Sequence, residues 1–340
     1  MKEDGEETMA TPPAPMHTRI CELLGIDYPI VQGGLAYLSL APLAAAVSLA
    51  GGLGQLGVAC FATPADLQAD ITRYRQWSMR PFGVNFPIGH KPLDGFLEVA
   101  LAERVPVISI TGGNPEPLLR QIQAAGEGTR TMVLVAGVRA ARKAADLGAD
   151  AVIAVGVEGG GHLGRDDIST LVLVPRIMES VTIPVLASGG IADGRGLAAA
   201  LALGADGVEL GTRFVAVQEG AAHQAYKEAL VAGQETDTLV IERTLGRPAR
   251  VLRTPLAEQI LAIEADLQAH GADRETALAA LLPLITGENN TLAALHGDLT
   301  HGFIWAGQVI GLIHDIPTAR ELIWRIVTEA RAIAQRNAQW

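Results

Sequence analysis

The sequence predicts an α/β chain that closes into a (β/α)8 TIM barrel with a helical C-terminal appendage. Three observations predict it. Short apolar runs recur at roughly 20 to 30 residue spacing, the interval of successive βα units. Eight such runs can be counted, and the later ones are continuously apolar, as parallel strands buried on both faces must be. Ala-rich amphipathic stretches separate them and suit an outer layer of helices.

In chain order the runs fall at residues 29–31, 53–58, 82–85, 105–110, 131–135, 151–155, 184–187 and 207–210. Residues 140–147 and 194–203 are examples of the intervening helices. Eight strand-then-helix repeats point to closure, with an open doubly wound sheet as the competing arrangement. Past about Ala232 the pattern changes, and residues 256–270, 274–286 and 319–335 read as helices with no strong β run among them. The chain therefore divides into a barrel over 17–232 and a mainly helical segment over 233–340 that returns to the barrel, capping one mouth, burying barrel surface or mediating a homodimer. Residues 1–16 are acidic and Pro-rich with no apolar stretch, and read as a disordered leader rather than a signal peptide.

Composition sets the outer bounds. A chain of 340 residues that is 49% hydrophobic can bury one barrel-sized core. With 4% aromatics and 38 glycines, that core must consist of Ala, Val, Leu and Ile at close-packed elements. A net charge of -11 without a Lys/Arg cluster argues against nucleic acid as a partner. Cys21 and Cys60 have no CxxC spacing, so neither a zinc site nor a disulfide framework is encoded, and a reducing cytoplasm is the natural setting. The apolar runs are too short to span a bilayer.

Chemistry in such a barrel gathers at the C-terminal ends of the strands, with phosphate held by the loops after the seventh and eighth. Both loops are glycine-bearing: Ser188-Gly189-Gly190-Ile191-Ala192-Asp193 and Gly211-Thr212-Arg213. Either alone is more simply a tight turn; two in the two expected places favour a phosphate-bearing ligand. Gly52-Leu53-Gly54-Gln55-Leu56-Gly57 matches GxGxxG, but it follows a helix and enters a strand, the reverse of the dinucleotide order. The sixth run ends in Glu158-Gly159-Gly160-Gly161-His162, followed by Leu163-Gly164-Arg165-Asp166-Asp167. Bare backbone there suits a flat ligand, and His162 can deliver or remove a proton beside a redox cofactor. Read as metal ligands, His162, Asp166 and Asp167 lack further partners; the acidic pair reads better as the start of the next helix.

These stretches, with Tyr28-Pro29-Ile30-Val31-Gln32-Gly33-Gly34, Pro81-Phe82-Gly83-Val84-Asn85 and Gly211-Thr212-Arg213-Phe214, resemble the nitronate monooxygenase family and its relatives, the flavin-dependent enoyl-ACP reductases and NADH:quinone reductases. The resemblance runs from about Arg19 to the C-terminus. It implies FMN as cofactor, with Gly33, Gly34 and Asn85 against the ring system and Ser188, Gly189, Gly190, Gly211 and Thr212 at the phosphate. Glu158 and Gly161 belong to the same binding loop, His162 matches the active-site histidine, and Gln308 lies in a segment that reaches back towards the flavin. The implied activity is nitronate monooxygenase. The alternatives are an NAD(P)H-dependent enoyl-ACP or quinone reductase and, more remotely, a phosphate-ligand isomerase. Residues 246–254 look like the enoyl reductases, residues 164–168 like the quinone-reducing branch, and Leu35-Ala36-Tyr37 departs from many reductases on the presumed substrate side.

Overall fold

The computed structural model describes residues 11–89, 91–126 and 128–339, so most of the expected leader lies outside the described residues. Eight parallel strands form one sheet: β1 (Ile30–Gln32), β2 (Gly54–Gly57), β3 (Phe82–Pro87), β4 (Val107–Thr111), β5 (Arg130–Val135), β6 (Ala151–Val155), β8 (Val185–Ser188) and β9 (Gly207–Leu210). The short β7 (Gly161–His162) stands outside it, in the loop after β6. Sheet order is β1-β9-β8-β6-β5-β4-β3-β2, and the Val31–Leu53 bridge joins the first strand to the last. The barrel is closed, as the eight repeats predict.

Its interior is apolar. Val31, Leu53, Val107, Met132, Ile153 and Leu186 pack together, and the N-terminal helix Arg19–Leu24 adds Ile20 and Leu24 to the same cluster. The helix is capped by the Thr18 hydroxyl and stopped by Gly25 at φ +67. Residues 13–16, expected in the disordered leader, are docked. Met16 N–H donates to the Asp27 carbonyl at 2.8 Å, the Tyr28 hydroxyl bonds the Pro13 carbonyl, and Arg331 bonds the Pro15 carbonyl at 3.0 Å.

The glycine run 52–57 shows why a motif match can mislead. A Cβ on Gly54 would lie 2.0 Å from the Ala44 carbonyl oxygen, so that glycine lets the Ala41–Leu49 helix cross β2 closely and holds no phosphate.

After β9 the chain leaves the barrel. It forms two short strands that the sequence does not announce, β10 (Thr238–Ile241) and β11 (Ala249–Leu252), and β11 pairs antiparallel with both β10 and β7. Helices Pro255–Ala269, Arg274–Leu281 and Gly287–His296 follow. The helix Ala319–Asn337 then returns to the outer layer of the barrel. Its Leu322, Ile323, Ile326 and Ala330 join the main core, and its indole Trp324 N–H donates to the Ala50 carbonyl at 3.2 Å. Among the described residues no helix is long and apolar enough to cross a membrane.

Candidate active site

The strand C-termini open into a cavity of about 450 Å³. β8 and β9 are neighbours with Ser188 opposite Glu209, so the turns that follow them are adjacent. Ser188, Gly189 and Gly190 from one turn and Gly211 and Thr212 from the next line the cavity together. Gly189 and Gly190 sit at φ +93 and +73, a conformation that side chains disfavour. The amides of Gly189, Gly190 and Thr212 meet no backbone carbonyl among the described residues. Adjacent turns with uncommitted N–H groups are the donor set a phosphoryl group needs.

Across the cavity Gly33, Gly34 and Asn85 line the wall. A Cβ on Gly34 would come 2.2 Å from the Asn85 carboxamide, so only glycine permits this approach. Asn85 is fixed by a buried polar network that the sequence does not reveal. Its amide donates to Ser109 Oγ at 2.9 Å and Thr111 Oγ1 at 2.8 Å; Ser109 donates to Gln55 Oε1 at 2.6 Å, and Gln55 to the Gln32 carbonyl at 2.7 Å. With both amide protons committed, Asn85 has only Oδ1 left for a ligand. Flat bare backbone on one side and phosphate donors on the other fit a flavin mononucleotide.

His162 borders the same cavity. β7 holds it by pairing His162 with Ala249 and Gly161 with Arg250. Arg250, buried, donates to the Val157 carbonyl at 3.0 Å and to Thr238 Oγ1 at 3.0 Å, tying the histidine loop to the β10–β11 pair. The imidazole lies 5.3 Å from the Trp305 ring, which also lines the cavity. Gly160 allows that returning segment to pass: a Cβ there would be 2.7 Å from Gly307 N.

Two expected residues lie outside the cavity wall. The Glu158 carboxylate accepts from Thr170 N–H at 3.0 Å and Thr170 Oγ1 at 2.9 Å, at the start of the Thr170–Met178 helix. Gln308 N–H donates to the Glu158 carbonyl at 2.9 Å, and Gly307 N–H donates to Thr212 Oγ1 at 2.9 Å. Both therefore brace the loop. Asp166 and Asp167 do not start the helix, whose N-cap is Ser169; Asp167, at φ +48, instead pairs with Arg243 at 3.0 Å.

Sequence reasoning missed two acids. Glu209, inside the run read as apolar, is 6% exposed and lines the cavity. Burial pushes its carboxyl up to about 7, partly opposed by the Ser188 hydroxyl, which donates to Oε2 at 3.0 Å. Glu242, at φ +64, also lines the cavity and contacts Arg247 at 2.6 Å. Burial pushes it up to about 7 against the attraction of Arg247, with Glu264 adding repulsion. Burial raises both thiols, Cys60 to about 12, away from the thiolate that a nucleophile or metal ligand needs. Among the described residues no group of His, Cys, Asp and Glu could hold a metal ion.

Comparison with known proteins fits this geometry. FabK from Thermotoga maritima is 41% identical, superimposes with a TM-score of 0.85, and the match covers 95% of this chain and 99% of that one. Nitroalkane oxidase from Streptomyces ansochromogenes is 32% identical with a TM-score of 0.75, over 94% and 99% of the two chains. A (3aS,4S,5R,7aS)-5-hydroxy-7a-methyl-1-oxo-octahydro-1H-indene-4-carboxyl-CoA dehydrogenase from Rhodococcus jostii is 33% identical over 93% of this chain and 96% of its own. The nitronate monooxygenase family pattern matches residues 17–94 and 89–329. With a family pattern spanning nearly the whole of the described chain, the chain belongs to the nitronate monooxygenase family of flavin-dependent oxidoreductases.

Proposed function

We propose that the chain is an FMN-dependent nitronate monooxygenase that oxidatively denitrifies alkyl nitronates with O2. The observation that carries this reading is that two amide-rich turns and the His162 imidazole share one cavity. When bound, FMN would supply electron transfer between a substrate carbanion and O2. The protein does the rest. Amides of Gly189, Gly190 and Thr212 would hold the phosphate, and Gly33, Gly34 and Asn85, across the same cavity, would hold the ring. A nitronate arrives already deprotonated; from a neutral nitroalkane, His162 takes the α-proton. Trp305 lies beside the imidazole at that edge.

The cap favours a second reading. Leu282, Ile285, Phe303 and Trp305 give the outer cavity a larger apolar wall than a small nitronate requires. Such a wall suits an enoyl thioester or a quinone, with NAD(P)H reducing the flavin, and residues 246–254 already resemble the enoyl reductases.

Anaerobic mixing with NADH separates the two: rapid bleaching of the yellow protein supports the reductase, whereas O2 uptake with a nitronate and no NADH supports the monooxygenase. A colourless protein that releases no FMN on denaturation would overturn both. The His162→Ala variant is expected to retain flavin and to lose about 10²- to 10⁴-fold in turnover of a substrate that needs proton transfer. Wild-type rates across the pH range would remove His162 from the mechanism.

A further inference from the structure

Glu209 stands where a charge is hardest to keep. Its carboxyl lies on the cavity wall between Gly33 and Ser188, in contact with the site that takes the cofactor. One oxygen, Oε2, accepts from Ser188. The other faces Gly33, where a Cβ would come 3.5 Å from Oε1. Among the described residues no basic side chain pairs with it; the Ser188 hydroxyl is its hydrogen-bond partner, and burial works against its charge. The basic residue nearest in sequence, Arg213, is itself buried and donates to the Asp315 carboxylate at 3.0 Å. Just after β1 Glu209 meets Gly33, and from β8 it meets Ser188; neither is charged.

A cofactor seated here removes the remaining water, which penalises a carboxylate further. FMN would bring acceptor oxygens, on its ring and on its phosphate, into a cavity whose wall includes Gly33, Glu209 and the two turns, and an ionised carboxylate facing such acceptors would repel them. A neutral carboxylic acid has a proton to donate.

We propose that Glu209 binds FMN as the neutral acid, its Oε1 hydroxyl donating a hydrogen bond to an acceptor oxygen of the cofactor. The role rests on the FMN reading above. It makes Glu209 a cofactor-positioning residue and couples cofactor uptake to one proton: above about pH 7, where the empty site ionises, each bound FMN brings a proton in from solvent. Affinity then weakens tenfold per pH unit in that range.

The test is titration calorimetry of flavin-stripped protein with FMN at about pH 8, in two buffers of different ionisation enthalpy, which yields the proton count. Wild type is expected to take up close to one proton more than Glu209→Gln, whose amide donates without ionising and whose affinity varies less with pH. Equal proton counts in wild type and variant overturn the role of Glu209 while leaving the cofactor reading intact. Failure of both to bind FMN overturns the cofactor reading and this role with it. Should Glu209→Gln not fold, Ser188→Ala serves: losing the hydroxyl that favours the carboxylate raises its titration point, so fewer protons are taken up at the same pH. An unchanged or larger uptake overturns the proposal.

Discussion

At the scale of single residues, Glu209 shows how a side chain can weaken the fold that places it. An ordinary glutamate titrates near 4.5, and burial moves this one to about 7. Folding therefore favours the protonated form. Its contribution is full below the unfolded value, falls as pH rises from about 4.5 towards about 7, and is level beyond. Glu209→Gln is expected to melt close to wild type at about pH 4 and above it at about pH 8; a melting difference that does not change with pH would contradict this. Gly189, Gly190 and Gly211, with Ser188 and Thr212 beside them, are legible in sequence because they fall together in the two loops a barrel uses for phosphate. Glu209, Gln55 and Ser109 are not. A lone polar residue in an apolar run has no periodicity, and only strand pairing shows that it points inward, beside its hydrogen-bond partner.

At the scale of elements, strand positions are read closely because the parallel runs are mostly apolar and recur at βα spacing, whereas β10 and β11 escape notice. Each has four residues, and β11 carries Arg250 at its centre, so no alternation long enough to signal a strand exists. Yet this pair fixes His162, so the most functional loop is braced by the least legible strands. Helix ends are clearer. Thr318 and Glu321 form a reciprocal capping box at the start of the last helix, Thr318 N–H donating to Glu321 Oε2 at 2.8 Å and Glu321 N–H to Thr318 Oγ1 at 3.2 Å. Thr318→Ala should lower unfolding free energy by about 1 kcal/mol in urea titration, with flavin content unchanged.

At the scale of the whole molecule, the closed sheet, the N-terminal helix at its interior cluster and the C-terminal helix on its flank form one body. The helix at 319–335 is visible in sequence, but its place is not, because amphipathic periodicity reports that a face is buried without naming what buries it. Gly194 marks the contact: a Cβ there would lie 2.5 Å from Ala330 N. Gly194→Ala should push the last helix off the barrel and lower the melting temperature, and hydrogen exchange should show faster opening of residues 319–337. An unperturbed exchange rate would mean the neighbouring backbone yields freely. The same docking bears on biogenesis. The helix that covers Ala50 and the first βα unit leaves the ribosome after every barrel strand. The nascent barrel must therefore wait with an apolar flank open to solvent until that helix has been made, a window in which chaperones have something to hold.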